Sequence, residues 1–143
     1  MSPNNEQKLN DALIRLEYLK RELEDDINTL NILQYTQESV GKSLLGLESL
    51  KDANSFEIMV PYGSDIFFPG KISDTEHALV GLGNNIFKKV DVKTLKEKLT
   101  NNFNELNSNI EKLASTINHL QEEGEKLETE INNIYQQMLG KGK

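Results

Sequence analysis

The sequence predicts an α+β fold in which two long helices pair as an antiparallel coiled-coil hairpin, with two β-hairpins inserted between them. Near both ends of the chain, apolar residues recur alternately three and four positions apart, which is typical of coiled coils. In the middle, apolar residues alternate with other residues, which is typical of half-buried strands. We therefore expect residues 1–143 to form one structural unit with almost no globular interior.

The first helix is predicted over residues 5–50, after a short disordered tail. With Leu9 at heptad position a, ten of the twelve a and d positions from Leu9 to Leu47 are apolar. Asp26 and Gln37 interrupt this seam, and we interpret them as local control of the register or as a weak spot. At 1.5 Å per residue, such a helix is roughly 65–70 Å long.

The second helix is predicted over residues 92–139, ending at Gly140. Its seam runs from Val92 to Met138 and is broken only at Lys96 and Gly124. Because the two helices have nearly equal lengths, we expect them to pair antiparallel. The predicted register pairs Leu9 with Met138, Leu16 with Ile131, Leu30 with Ile117, Leu44 with Phe103, and places Gly124 near Leu23.

Residues 55–91 are predicted to hold the two β-hairpins. Turn-forming residues occupy 61–65 and 83–85, and Pro69-Gly70 is expected to bend the second strand. Four short strands cannot bury both faces or pair all their edges. We therefore expect the strands to complete an oligomeric β-barrel. The apolar residues expected at that interface are Phe56, Ile58, Val60, Ile66, Phe68, Leu79, Val80, Leu82, Ile86 and Val90.

Composition argues against several functional classes. The net charge of −7 disfavours binding to nucleic acid and to anionic membranes. The chain has no cysteine, and neither His77 nor His119 has partners at metal-ligand spacing. There is no phosphate-binding loop and no long apolar run. We expect no enzyme activity, no cofactor and no metal, and a cytoplasmic location.

Several apolar residues lie off the coiled-coil seams. In the predicted register, Leu13, Ile14, Tyr135 and Leu139 gather at the free end of the coiled coil, with Leu9 and Met138 beside them. Exposed apolar groups on a soluble protein indicate a binding partner. The alternative is ordinary scatter combined with fraying of the helix ends.

The strands carry a family resemblance. The segments Val60–Ser64, Phe68–Ile72 and Ala78–Gly83, with Asp74 between the last two, resemble those of α-type prefoldin subunits. Two hairpins also favour the α class, since β-type subunits have one. Asn84-Asn85-Ile86 and Phe87-Lys88-Lys89 depart from the family pattern, which leaves the α subtype open.

The resemblance implies an ATP-independent cochaperone, or holdase. In that family, two α-type and four β-type subunits form a hexamer through a β-barrel of their hairpins. The coiled-coil tips hold unfolded polypeptide, which the complex delivers to a group II chaperonin. One α-type relative polymerises into filaments instead. A structural filament or scaffold, and a coiled-coil adaptor for one partner helix, therefore remain as alternatives.

Overall fold

In the computed structural model, residues 3–50 and 56–141 are described. The two long helices and the two antiparallel β-hairpins between them are confirmed. The elements are helix α1 (Pro3–Ser49), strands β1 (Phe56–Gly63), β2 (Ile66–Ile72), β3 (His77–Gly83) and β4 (Ile86–Asp91), and helix α2 (Val92–Lys141). The chain divides into two compact units. We call residues 1–35 with 107–143 the terminal unit, and residues 36–106 the central unit.

Helix α1 begins two residues before its predicted start and ends one residue before its predicted end, and α2 ends two residues after its predicted end. The prediction of a disordered tail is wrong for residues 3–5, because α1 begins at Pro3. Proline suits the first turn of a helix, where its missing N–H is not needed. The rest of the predicted tail lies outside the described residues. Gly140 does not end α2, which continues to Lys141; one glycine costs a helix about 1 kcal/mol relative to alanine and need not break it.

In the terminal unit, the two helices bury their a and d residues against each other. The core is a cluster of Leu19, Leu120 and Leu127, against which Leu16 and Leu23 pack. A Cβ atom on Gly124 would lie 3.3 Å from Leu19 Cδ2. Gly124 therefore lies against Leu19, whereas the sequence had predicted that it would lie near Leu23.

The predicted register is wrong by about one helical turn in each unit. In the central unit, Phe103 packs beside Gly41 rather than opposite Leu44, since a Cβ on Gly41 would lie 3.4 Å from the Phe103 ring. The Lys96 Nζ atom lies 3.2 Å from a Glu48 carboxylate oxygen in the same register.

The heptad spacing gives the reason for this shift. From Leu9 to Leu19 the seam advances in steps of 3, 4 and 3 residues. Read backwards, α2 takes the same steps from Ile134 to Gly124, but steps of 4, 3 and 4 from Met138. The apolar residues of two antiparallel helices therefore remain level with each other only when position a of one helix faces position d of the other. In the terminal unit, the contact between Leu19 and Gly124 places Leu9 level with Ile134.

Each hairpin turns through two residues of positive φ. The φ angles are 50° and 61° at Ser64 and Asp65, and 50° and 60° at Asn84 and Asn85. Such turns match the natural twist of paired strands. Gly63 and Gly83 precede them at φ 112° and 98°, beside a register shift in each hairpin.

One strand prediction needs correction. Strand β1 runs three residues beyond its predicted end at Val60, to Gly63, because the turn takes only two residues and Pro61 and Gly63 still pair with β2. Strand β2 continues through Pro69, which pairs with Met59, and the bend expected at Pro69-Gly70 stays a prediction. A sheet of two strands has only edge strands, and edge strands tolerate proline where its nitrogen faces away from the partner strand.

Candidate functional site

The first hairpin presents a wholly apolar face. Residues directly opposite each other in an antiparallel pair share a face, so the pairs Phe56–Ile72, Ile58–Gly70 and Val60–Phe68 lie together. Gly70 makes room for this surface, because a Cβ there would lie 2.9 Å from Val60 Cγ2. The exposed fractions of Phe56, Val60 and Phe68 are 37%, 43% and 53%. The face is therefore available to a partner.

The second hairpin distributes the predicted interface residues over two faces. One face carries the pairs Ala78–Val90 and Val80–Lys88, and the other carries Leu79–Lys89. By strand alternation, Ile86 lies on the face of Val90, whereas Leu82 sits at the register shift. Leu79 and Val80, which we expected at one interface, therefore lie on opposite faces of the hairpin.

Sequence reasoning missed four exposed apolar residues of the hairpins: Met59, Tyr62, Phe67 and Phe87. The Tyr62 ring packs edge-on against Phe68, with ring centroids 5.1 Å apart. The consecutive phenylalanines at 67 and 68 were the available signal, because neighbours on a strand point to opposite faces. Apolar surface on both faces of a small sheet strengthens the expectation of an interface.

The predicted tip residues are exposed but spread out. Leu13, Ile14, Tyr135 and Leu139 are all exposed, while Leu9 and Met138 are half-buried. Leu139 lies 15 residues after Gly124, so in an antiparallel pair it is level with Asn4, which lies 15 residues before Leu19. Asn4 is ten residues before Ile14 in α1. The six residues therefore extend over about 15 Å of the coil rather than forming one compact patch.

Heptad positions e and g flank the seam of the terminal unit, e on one side and g on the other, and the two sides differ in polarity. Leu13 and Ile27 occupy e positions of α1, and Tyr135 and Ala114 the equivalent positions of α2, so these apolar residues flank the same side of the seam. The g positions of the other side carry mostly charged residues, including Arg15, Glu22, Glu123 and Glu130. Of the tip residues, Leu13 and Tyr135 share the apolar side.

Asn5 is the functional candidate that the sequence reading overlooked. It occupies a d position seven residues before Ala12, is 8% exposed, and its amide nitrogen has no hydrogen-bond partner. A buried, unsatisfied amide costs about 1–3 kcal/mol. The heptad, extended by one repeat, would have revealed this residue. The last seam layer is thus weakened, which favours opening of the coil at its end.

Asp74 organises the connection between the hairpins. Its carboxylate accepts hydrogen bonds from the backbone N–H groups of Glu76 and His77, at 2.9 and 3.2 Å, and lies 3.1 Å from His77 Nδ1. The Glu76 N–H, and to a smaller extent His77, hold the pKa of Asp74 below its ordinary value. The Val92 N–H donates to the Glu76 carbonyl at 2.8 Å, which ties the start of α2 to this loop.

Two kinds of feature are absent from the described part of the chain. Neither described helix contains a stretch apolar and long enough to cross a membrane. Within residues 3–50 and 56–141, no His, Cys, Asp and Glu side chains cluster in a way that would hold a metal ion.

Comparison with known proteins adds two findings. The model of the prefoldin family, described as prefoldin subunit, matches residues 16–137. The fold is similar to a chain of filamentous PFD from Methanocaldococcus jannaschii, solved by cryo-EM, with a TM-score of 0.63 and 22% identity. That match covers 80% of this chain and 96% of the other, and at this identity it concerns the fold alone. No curated protein matches the sequence.

Proposed function

The chain belongs to the prefoldin family, and from this membership we propose that it is an α-type subunit acting as an ATP-independent holdase. Prefoldins are cochaperone subunits that assemble into oligomers with other prefoldin subunits. In this proposal the chain has no catalytic role. Its work is to keep unfolded polypeptide from aggregating in the cytoplasm and to deliver it to a group II chaperonin.

The observation that supports this function most is where the apolar surface lies. The terminal unit buries its seam yet leaves Leu13, Ile14, Tyr135 and Leu139 exposed near both chain ends. Burying apolar surface gains about 25 cal/mol per Å², so a small tip patch holds a client weakly. Several tips acting on one client would raise the overall affinity by avidity. Weak, non-directional contact suits capture of many sequences and their later release.

The hairpins support the proposed assembly of two α-type with four β-type subunits. The apolar faces around Val60 and Val80, and the free strand edges, are suited to pairing with strands of other subunits. In such a hexamer the hairpins form the β-barrel and the coiled coils remain available for clients.

The test is suppression of client aggregation by the purified assembly, without nucleotide. Replacing Leu13, Ile14, Tyr135 and Leu139 together by serine should reduce protection while leaving the mass of the assembly unchanged. Leu45→Ser is the control, because Leu45 is 74% exposed but belongs to the central unit. Protection by the fourfold variant equal to that of the unchanged protein would place client binding elsewhere. Capture that requires ATP would contradict the proposed mechanism.

Electron microscopy of the same samples separates the alternatives. Closed particles formed with β-type subunits agree with the holdase. Filaments formed by the chain alone, without protection of clients, would favour a structural scaffold instead. Stoichiometric binding of a single partner helix, again without protection, would favour the coiled-coil adaptor.

A further inference from the structure

Apolar surface also continues from the tip along the outside of α1. Heptad positions b, c and f point away from the partner helix, and we call those between Asp11 and Tyr35 the α1 outer face. Four large apolar residues lie on it: Ile14, Tyr18, Ile32 and Tyr35, with exposed fractions of 47%, 69%, 65% and 76%. All four belong to the terminal unit.

Helix α2 shows that this surface is not a general feature of the coil. Between Asn104 and Glu130, its only apolar residue off the seam is Ala114, which is half-buried. Exposed tyrosine and isoleucine cost solubility. Between its ends, α2 carries no such residue off the seam, whereas α1 carries Tyr18, Ile32 and Tyr35, which favours a binding role for α1.

The α1 outer face is also acidic. It carries four carboxylates, at Asp11, Glu17, Glu24 and Asp25, against one cation, Arg21. Arg21 is already paired with Glu17 at 2.9 Å, next to a small notch between Ile14 and Tyr18. Positions b, c and f of this face therefore carry a net charge of −3.

The charge of the whole terminal unit agrees with that of this face. Its residues 1–35 and 107–143 hold 13 carboxylates and 8 Lys or Arg side chains, a net charge of −5. In the central unit, residues 36–106 hold 10 carboxylates and 8 Lys or Arg, a net charge of −2. Most of the excess negative charge thus lies in the unit that carries the exposed apolar residues.

We propose that the α1 outer face selects unfolded polypeptide segments in which apolar residues are interspersed with Lys or Arg. The isoleucines and tyrosines would bury the apolar side chains of such a segment, and the carboxylates would attract its cations. The faces of Tyr18 and Tyr35 also attract ammonium and guanidinium groups. This inference rests on the proposed holdase function and names the client class that it would prefer.

The test uses the full chain in its native assembly and two labelled, unstructured peptides of equal length and apolar content. One carries Lys at four positions where the other carries Glu. Fluorescence anisotropy should show tighter binding of the Lys peptide. The preference should shrink as salt rises from 0.05 to about 0.5 M, because screening weakens attraction between exposed charges.

Two matched variants localise the effect. Replacing Glu24 by Gln and Asp25 by Asn should weaken binding of the Lys peptide by roughly fivefold, since each exposed charge pair contributes modestly. Replacing Glu122 and Glu125 by Gln changes the net charge equally, but on the outside of α2, and should have a smaller effect. Tyr18→Ser with Tyr35→Ser should weaken binding of both peptides.

Each contrary outcome overturns the inference in a recognisable way. Equal affinity for the two peptides would remove the charge preference while leaving the holdase function to its own aggregation assay. Equal losses in the two charge variants would assign the preference to overall charge rather than to the α1 outer face. If Tyr18→Ser with Tyr35→Ser instead lowers the mass of the assembly, this face is a contact between subunits.

Discussion

The terminal unit and the hairpins use their apolar residues in opposite ways. In the terminal unit, Ala12, Leu19, Ile117, Leu120, Leu127, Ile131 and Ile134 are all buried within the chain. Between Phe56 and Asp91, no residue is buried to that extent, although apolar residues line both faces of the sheets. The terminal unit thus buries its apolar residues against its own chain, whereas the hairpins leave theirs accessible to a partner.

This difference separates folding from assembly. A fully buried leucine or isoleucine gains about 1.5–3 kcal/mol, and the seam collects several such gains inside one chain. An isolated two-stranded hairpin is marginally stable in water. We therefore expect the coiled coil to form in a single chain, and the hairpins to be stabilised by other subunits.

The largest effect should follow from a polar substitution in the seam. Leu127 is 5% exposed and belongs to the core of the terminal unit, so Leu127→Ser should destabilise the coil by about 3–5 kcal/mol. Thermal unfolding followed by circular dichroism measures this loss. Ile32→Ser, at a residue 65% exposed, should change stability by less than about 0.5 kcal/mol. Equal losses in the two variants would contradict the seam described above.

The next effect concerns which face of the second hairpin meets other subunits. Val80 shares its face with Ala78, Ile86, Lys88 and Val90, whereas the Leu79 face includes His77, Phe87, Lys89 and Asp91. An unpaired charge buried at an interface costs several kcal/mol. Val80→Lys places a second cation opposite Lys88, which cannot pair with it, and should therefore dissociate the assembly while the helices remain formed.

Leu79→Lys, opposite Lys89, is the matched comparison, and it should dissociate the assembly less. Sedimentation velocity gives the mass of each variant, and circular dichroism gives its helix content. A larger effect at Leu79 would reverse the assignment of the two faces. Loss of helix in either variant would show that the hairpins and the coil do not behave separately.

A smaller pair of effects compares two glycines. At Gly70 a new Cβ would lie 2.9 Å from Val60 Cγ2, so Gly70→Ala should destabilise the first hairpin by about 1–2 kcal/mol. At Gly124 the contact would be 3.3 Å to the flexible end of Leu19. There the gain in helix propensity, about 1 kcal/mol, should exceed the crowding and stabilise the coil. Denaturant unfolding should show a lower free energy of unfolding for Gly70→Ala and a higher one for Gly124→Ala.

The smallest effect is the pH dependence at Asp74. Its pKa in the folded chain lies below the ordinary value of 3.8, mainly because of the Glu76 N–H. The resulting stabilisation of the loop is complete above that ordinary value and is lost as the pH falls through the lowered pKa. The amide signals of Glu76 and His77 should report this titration by NMR. In Asp74→Asn these signals should no longer follow it.

The sequence predicted the elements well, because each depends on local spacing. The seam from Leu9 to Leu47 and the turn at Asn84 and Asn85 are examples. Pairing between distant elements was predicted less well. Leu9 was placed opposite Met138 because chain lengths were matched, whereas the contact of Leu19 with Gly124 requires a to face d.

The candidate sites show the same limit. Exposed residues such as Leu139 were recognised from their positions off the seam, and the structure finds them exposed. Asn5 lies on the same heptad, one repeat before Ala12, but it was overlooked because residues 1–5 were predicted to be a disordered tail. The separation of Leu79 from Val80 follows from strand alternation, but it was hidden by treating all apolar residues as one interface.

The central claim is that the coiled coil is stabilised within one chain, whereas the hairpins are stabilised by other subunits. Hydrogen–deuterium exchange tests this claim most directly. Exchange should be compared between the assembly and a dilute, monomeric sample of the same chain. Amides of residues 113–134 should be protected in both samples, and those of residues 56–91 only in the assembly. A monomer whose hairpin amides are as protected as in the assembly, or whose coil is unprotected, would contradict the account.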